Sequence, residues 1–260
     1  MTWKAVARSA IGTSHQRQYL PCQDYGSDRI LGDVIMGAIA DGAGSAKHAD
    51  TGAKLAVETV LDLLVRTEEW FHERHGSWRS LPHPPSQEQA NKLFTKVVAK
   101  ARSVLQKHAT HNGYSVDDLA CTLLAFVATP AWIAAMQIGD GFIVVRPQKG
   151  DYQLIFRPDK GEYANQTTFV TSTTALDELQ VRVLSGQQTF ICASTDALER
   201  VAIRLSDWTV FPPFFKPLEE YLQETQHPEQ EDTYLLNFLE SDRLSARTDD
   251  DKTLLLGLYS

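Results

Sequence analysis

Apolar residues fall into two patterns along this chain. Short unbroken runs at 34–40, 189–194 and 254–259 predict buried strands, and residues 3–9 suit a short first strand. A helical spacing instead joins Ala49, Ala53, Ala56, Val57, Val60, Leu61 and Leu64, which predicts a helix over 45–66. Residues 67–85 read as its end and a loop. Ser86 and Gln89 form a capping box before the stripe Ala90, Leu93, Phe94, Val97, Val98 and Ala101, and Gly113 can stop that second helix. Between them, the β-rich runs 121–128, 132–137, 142–146 and 152–156 alternate with turn signals, among them Gly139-Asp140-Gly141. They predict an antiparallel meander. A helix is expected over 196–205. An aromatic and proline cluster at 208–215, expected to cover a sheet edge, precedes two acidic helices near 217–225 and 229–240. Strands, then helices, then a meander indicate an α+β layering and argue against a doubly wound parallel sheet.

Length adds that 260 residues fit one domain, 1–260. A formal net charge of −8 argues against a general partner in nucleic acid or an anionic membrane. No apolar run approaches the ~18 residues of a membrane-spanning helix, and the first residues lack a secretory pattern. The cysteines, Cys22, Cys121 and Cys192, are odd in number and far apart, as reduced core thiols of a cytoplasmic protein would be. A monomer is the default expectation.

The candidate chemistry lies in aspartates at strand ends and turns. Asp41 closes the run 34–40 and is followed by Gly42-Ala43-Gly44; Asp24, Asp140, Asp196 and Asp250 occupy comparable places. Each alone is ordinarily a helix cap or a turn residue. If the strand ends converge, the charges conflict: two carboxylates ~4 Å apart repel by about 4 kcal/mol at an effective dielectric of about 20. Divalent cations would resolve that conflict, and an all-oxygen donor set favours Mg²⁺ or Mn²⁺ over zinc.

These residues also carry a resemblance. Gly12-Thr13-Ser14-His15, Pro21-Cys22-Gln23-Asp24, Ala40-Asp41-Gly42-Ala43-Gly44-Ser45, Ile138-Gly139-Asp140-Gly141, Ser194-Thr195-Asp196 and Asp250-Asp251-Lys252-Thr253 occur in one order along the chain. So arranged, the chain resembles the metal-dependent Ser/Thr protein phosphatases, the PPM or type 2C family, and most of all its small bacterial PphC-type branch. The resemblance implies a four-layer αββα sandwich, two packed antiparallel sheets flanked by helices. It implies hydrolysis of phosphoserine and phosphothreonine by water activated between two Mn²⁺ or Mg²⁺ ions. Asp41 would bridge both ions, the Gly42 carbonyl would bind one, and Asp196 and Asp250 the second; Asp140 would serve a third, looser site. Asp24 would orient the water. His15 and Arg17 would bind phosphate, His15 with a catalytic part as well. Glu162, in a variable flap around 158–188, would contact substrate, and 206–246 would be an insertion. The implied partner is a phosphorylated protein, with a cognate Ser/Thr kinase opposing the reaction. Ala43 stands where many members place a histidine general acid, Tyr19 where better-known members place an arginine, and Ala197 where a glycine is usual. Two rival readings are a phosphoprotein-binding pseudophosphatase and a phosphatase of small phosphoesters.

Overall fold

The computed structural model describes residues 1–76, 78, 81, 83–156, 167–228 and 233–260. In chain order it begins with β1 (Trp3–Ala10), α1 (Thr13–Gln18), β2 (Tyr25–Leu31), β3 (Val34–Ala40), α2 (Ala49–His75) and α3 (Gln87–Asn112). It continues with β4 (Leu123–Ala128), β5 (Trp132–Ile138), β6 (Phe142–Pro147), β7 (Gln153–Leu154), β8 (Gln180–Ser185) and β9 (Gln188–Ser194). The last part holds α4 (Glu199–Ala202), the two-stranded β10 (Ile203–Arg204) and β11 (Thr209–Val210), α5 (Pro212–Glu224), α6 (Thr233–Leu239), α7 (Asp242–Ser245) and β12 (Lys252–Tyr259).

Two five-stranded antiparallel sheets, ordered β1-β12-β9-β6-β7 and β2-β3-β4-β5-β8, carry the architecture. Ile35, Ile39, Leu124 and Phe126 of one sheet meet Ile143, Val145, Ile191 and Leu255 of the other in a shared inner core. On the outer face of the second sheet, Met36 and Ala38 pack with Val57, Leu61, Phe94 and Val98 of α2 and α3. On the outer face of the first, Phe142, Val144, Phe190 and Leu256 pack with Phe215, Leu218 and Leu235. The expected αββα sandwich is therefore present. It also explains the unbroken apolar runs: β3 sends Ile35 and Ile39 inward and Met36 and Ala38 outward, so both faces demand apolar side chains. The aromatic cluster covers a sheet face, with Phe215 buried and Phe211 exposed, and does not simply trim an edge.

Several local expectations are corrected. The second helix follows its signals, with a complete Ser86 capping box and Gly113 in the left-handed region. The first starts at Ala49, not at 45, because residues 43–48 are tied to the neighbouring turn: the Ala43 N–H donates to the Ala120 carbonyl and that of His48 to the Asp118 carbonyl. It also runs on to His75. The meander is broken after β5, since β6 crosses to the other sheet and pairs with β9. Gly139-Asp140-Gly141 is thus a sheet-to-sheet crossover and not a hairpin. Gly139 sits at φ 99° with Thr122 so close that a Cβ would stand 2.5 Å from its Cγ2. The helix expected over 196–205 is a single turn at 196–198 followed by the four residues of α4. Sequence patterning missed the edge strands β2 and β8; Tyr25–Leu31 has no fully buried residue, and β8 lies within the span assigned to a flap. Residues 158–166 of the expected flap and residues 229–232, where a helix was expected to begin, lie outside the described residues. Among the described residues no helix is long and apolar enough to cross a membrane.

One close approach is open to test. A Cβ on Gly52 of α2 would stand 2.2 Å from the Leu119 carbonyl oxygen. In an open helix, Gly→Ala gains about 1 kcal/mol. Here Gly52→Ala should instead destabilise by about 1–3 kcal/mol, the usual cost of overpacking. Urea unfolding measures it, and a more stable variant would show that the contact yields freely.

Candidate active site

Strand register gathers the aspartates. At one end of the second sheet, Tyr25 faces Ala40 and Leu123 faces Ile138. At one end of the first, Ala10 faces Lys252, and Ser194 faces both Leu254 and Phe142. The crossover from Ile138 to Phe142 joins these two ends, so they lie side by side. Asp41 follows β3, Asp140 sits in the crossover, Asp196 follows β9, and Asp250 and Asp251 precede β12. All five line a cavity of about 170 Å³, together with His15, Gln23, Gly42, Ala43, Gly44, Thr122, Thr167 and Phe169.

Hydrogen bonds hold the carboxylates in place. The Asp41 N–H donates to Thr122 Oγ1 at 2.9 Å, and the Thr122 N–H returns to the Asp41 carbonyl at 2.8 Å. Thr167 donates its hydroxyl to Asp140 Oδ2 at 2.6 Å. Thr195 donates to Asp24 Oδ2 at 2.8 Å and accepts the Thr253 N–H at 3.1 Å. Asp24 itself is 5% exposed and lies behind the cavity wall.

The charges oppose one another. Burial, then the charges of Asp24, Asp196, Asp250 and Asp140, raises the Asp41 carboxyl well above its ordinary value. Burial, then Asp140 and Asp250, pushes Asp196 up to about 6. Burial pushes Asp24 up to about 7, with Thr195 pulling the other way and Asp251 and Asp250 adding to the rise. No Lys or Arg appears among the described lining residues. Among the described residues, no three His, Cys, Asp or Glu side chains already enclose a metal position. Apart from the His15 imidazole the donors are oxygen, and Gln23 adds a buried Oε1 with no hydrogen-bond partner. Chemistry and charge both suit divalent cations.

Of the residues singled out by sequence, Asp41, Gly42, Asp140, Asp196, Asp250 and His15 line the cavity. Arg17 is exposed on α1 and is not part of the lining. Glu162 lies outside the described residues. Ala43 lines the cavity and brings no polar side chain, while Tyr19 is 95% exposed. The residue that sequence reasoning missed is Asp251, 3% exposed, whose carboxylate gathers three segments of chain. Only the acidic triplet at 249–251 hinted at it, and the resemblance put the ligand role on Asp250. Two of the three cysteines are core residues: Cys121 and Cys192 are fully buried, and burial pushes the Cys121 thiol up to about 12, whereas Cys22 is only half-buried. His72, His108 and His111 lie on α2 and α3 and are not among the cavity's lining residues.

A family model described as protein phosphatase 2C matches residues 11–240, a span that includes His15, Asp24, Asp41, Asp140 and Asp196. The chain belongs to the protein phosphatase 2C family. Serine/threonine-protein phosphatase 3 of Escherichia coli strain K12 is 35% identical over 268 residues, covering 100% of each chain. Two solved structures share the protein phosphatase 2C fold. PppA, titled a key regulatory component of T6SS in Pseudomonas aeruginosa, is 19% identical with a TM-score of 0.61, covering 99% of this chain and 98% of its own. RsbX, solved in complex with magnesium, is 12% identical with a TM-score of 0.55, covering 99% of this chain and 96% of its own.

The electrostatics give a signed test. Asp24 and Asp196 bind protons more tightly folded than at the ordinary 3.8, so between about pH 4 and pH 7 the folded chain holds more protons than the unfolded one. Stability of the metal-free protein should therefore fall as pH rises through that window. Thermal unfolding in EDTA checks this, and Asp41→Asn should fall less steeply because one repelling charge is gone. Added Mn²⁺ should raise the melting temperature most near pH 7, by the linkage of ligand binding to folding. A melting temperature that climbs from pH 4 to 7 in EDTA, equally in both proteins, would refute the repulsion.

Proposed function

We propose that this chain hydrolyses phosphoserine and phosphothreonine in protein substrates with the aid of two divalent cations, Mn²⁺ or Mg²⁺. The carrying observation is the aspartate-lined cavity in which burial, and then the charges of Asp140 and Asp250 among others, raise the proton affinity of Asp41 and Asp196, with no Lys or Arg among the described lining. Asp41 would hold both cations, with the Gly42 carbonyl on one and Asp196 and Asp250 on the other. Asp140 would serve a looser third position. When bound, such cations supply Lewis-acid activation of water and neutralise charge on phosphoryl oxygens.

The chain's own residues supply position. Asp24, held by Thr195, is the foremost charge acting on Asp41 and orients the attacking water. Thr122 fixes the Asp41 backbone through paired hydrogen bonds, so the carboxylate needs little reorganisation during reaction. Arg17, exposed on α1 two residues from His15, meets the phosphate or the acidic surroundings of a phosphorylated segment. Glu162 would contribute to substrate binding. Likeness over the full chain to a protein named serine/threonine-protein phosphatase 3 supports a protein substrate over small esters. The retained aspartates support an enzyme over a binding module.

Purified protein with Mn²⁺ should therefore turn over both p-nitrophenyl phosphate and a phosphothreonine peptide, and EDTA should abolish both activities. Asp41→Ala should lower kcat/KM by about 10²–10³, since the cations supply several kcal/mol of transition-state stabilisation and each 1.36 kcal/mol is tenfold. Undiminished turnover in Asp41→Ala would sink the assignment.

A further inference from the structure

The buried carboxylate of Asp251 has more partners than a structural clamp needs. Its Oδ1 accepts the Gly12 N–H at 2.6 Å, and its Oδ2 accepts the Gln23 N–H at 2.6 Å. These two bonds already tie the approach to α1 and the approach to β2 onto the start of β12. A third contact, 2.9 Å from Oδ2 to His15 Nδ1, fixes the imidazole in the cavity wall. His15 is buried along most of its side chain, with 12% exposed. A carboxylate acts as acceptor only, so the network assigns the bonded proton to Nδ1 and leaves Nε2 free for chemistry.

The other lining groups offer no comparable proton. Ala43 has none to give. The Thr167 hydroxyl is committed to Asp140, and the Gln23 amide is not acidic in this range. Asp41, Asp140, Asp196 and Asp250 are the carboxylates that cations would hold ionised. Among the described lining residues, His15 is the only side chain that can carry a positive charge.

We propose that Asp251 positions His15 so that its Nε2–H protonates the leaving serine or threonine oxygen. The inference rests on the phosphatase reading above. A water oxygen forms the new bond to phosphorus, and the ester P–O bond breaks with its electron pair passing to the departing oxygen. The Nε2 proton moves to that oxygen and releases a neutral alcohol. The attacking water gives up its proton to solvent, and the imidazole regains one from solvent. The sum is phosphomonoester plus water to alcohol plus phosphate. An Asp–His pair reached from α1 and β12 thus fills the role left open by Ala43. Asp251 is the positioning residue and His15 the catalytic one.

Leaving-group dependence tests the idea. An alkoxide leaves poorly and needs the proton, whereas p-nitrophenolate leaves largely unaided. With saturating Mn²⁺, His15→Ala should lower kcat on a phosphothreonine peptide by about 10²–10⁴, the usual worth of general acid catalysis. Its loss on p-nitrophenyl phosphate should stay below about 10-fold. Asp251→Asn should show the same split with a loss of at least about 10-fold on the peptide, as expected for a group that orients a working histidine. In ¹⁵N spectra of the wild-type protein His15 should carry its proton on Nδ1 in the neutral form, and Asp251→Asn should remove that preference. If Asp251→Asn does not fold, the His15→Ala split and the wild-type spectrum decide. Equal losses on both substrates, or an Nδ1 without a proton in the wild type, would overturn the proton-donor role alone. Absence of wild-type turnover on either substrate would instead defeat the phosphatase reading beneath it.

Discussion

Carboxylates that repel one another are held at one end of two sheets, and the fold around them is what keeps them there. Asp41 feels Asp24, Asp196, Asp250 and Asp140 at once. Left to a flexible chain, such charges would move apart into water. Here each hangs from a strand end or a tight turn whose position is set by ladders of buried residues on both sides. β3 and β12 are buried along their whole lengths. Moving Asp41 or Asp250 away would require shifting a strand sandwiched between two cores, with cavities or overlaps on either face. The repulsion is therefore stored, and on the proposed function the stored charge would be what draws cations into the cavity.

Threonines do the fine positioning. Thr122, Thr167 and Thr195 each bind an aspartate, through its backbone in the first case and its carboxylate in the other two. Thr253 links the set further, giving its N–H to Thr195 and its hydroxyl to Ser9. A threonine hydroxyl donates one proton and accepts others, so it can steady a carboxylate without neutralising it. An Arg or Lys in the same places would hold the aspartates more firmly but would occupy the charge that a cation must meet.

Much of this was legible in the amino-acid order. Long helical spacing located α2 and α3, and the Ser86 capping box and Gly113 marked the ends of α3 to the residue. Unbroken apolar runs located β3, β9 and β12 because each is covered on both faces. The same rule hid β2 and β8, edge strands with little to bury. The crossover after β5 was read as a hairpin because a Gly-Asp-Gly turn looks alike whether the next strand pairs beside the last one or in the opposite sheet. In the site, strand-end placement found Asp41, Asp140, Asp196 and Asp250, whose meeting in one cavity depends on ladder position. Asp251 was not found, because its role depends on which backbone N–H groups approach from 239 and 228 residues away. Local spacing carries no trace of such contacts.

The same charges also constrain how a substrate can arrive. A phosphate monoester is a dianion near neutral pH, and the described cavity wall offers it aspartates with no Lys or Arg. Tyr19, at the place where the resemblance would put an arginine, is turned out to solvent, and Arg17 lies outside the lining. Without cations the cavity should therefore repel the group it is proposed to cleave. On that reading cations must enter first, since they alone reverse the sign of the field along the wall. Among the described lining residues His15 is the only side chain that can carry a positive charge, and such a charge would lie 2.9 Å from the Asp251 carboxylate. A histidine so paired contributes little long-range attraction for phosphate, because an approaching anion sees a nearly neutral dyad. It retains a directional proton. That division suits a proton donor better than a phosphate anchor, and it leaves attraction of the substrate to the cations and its orientation to the rim.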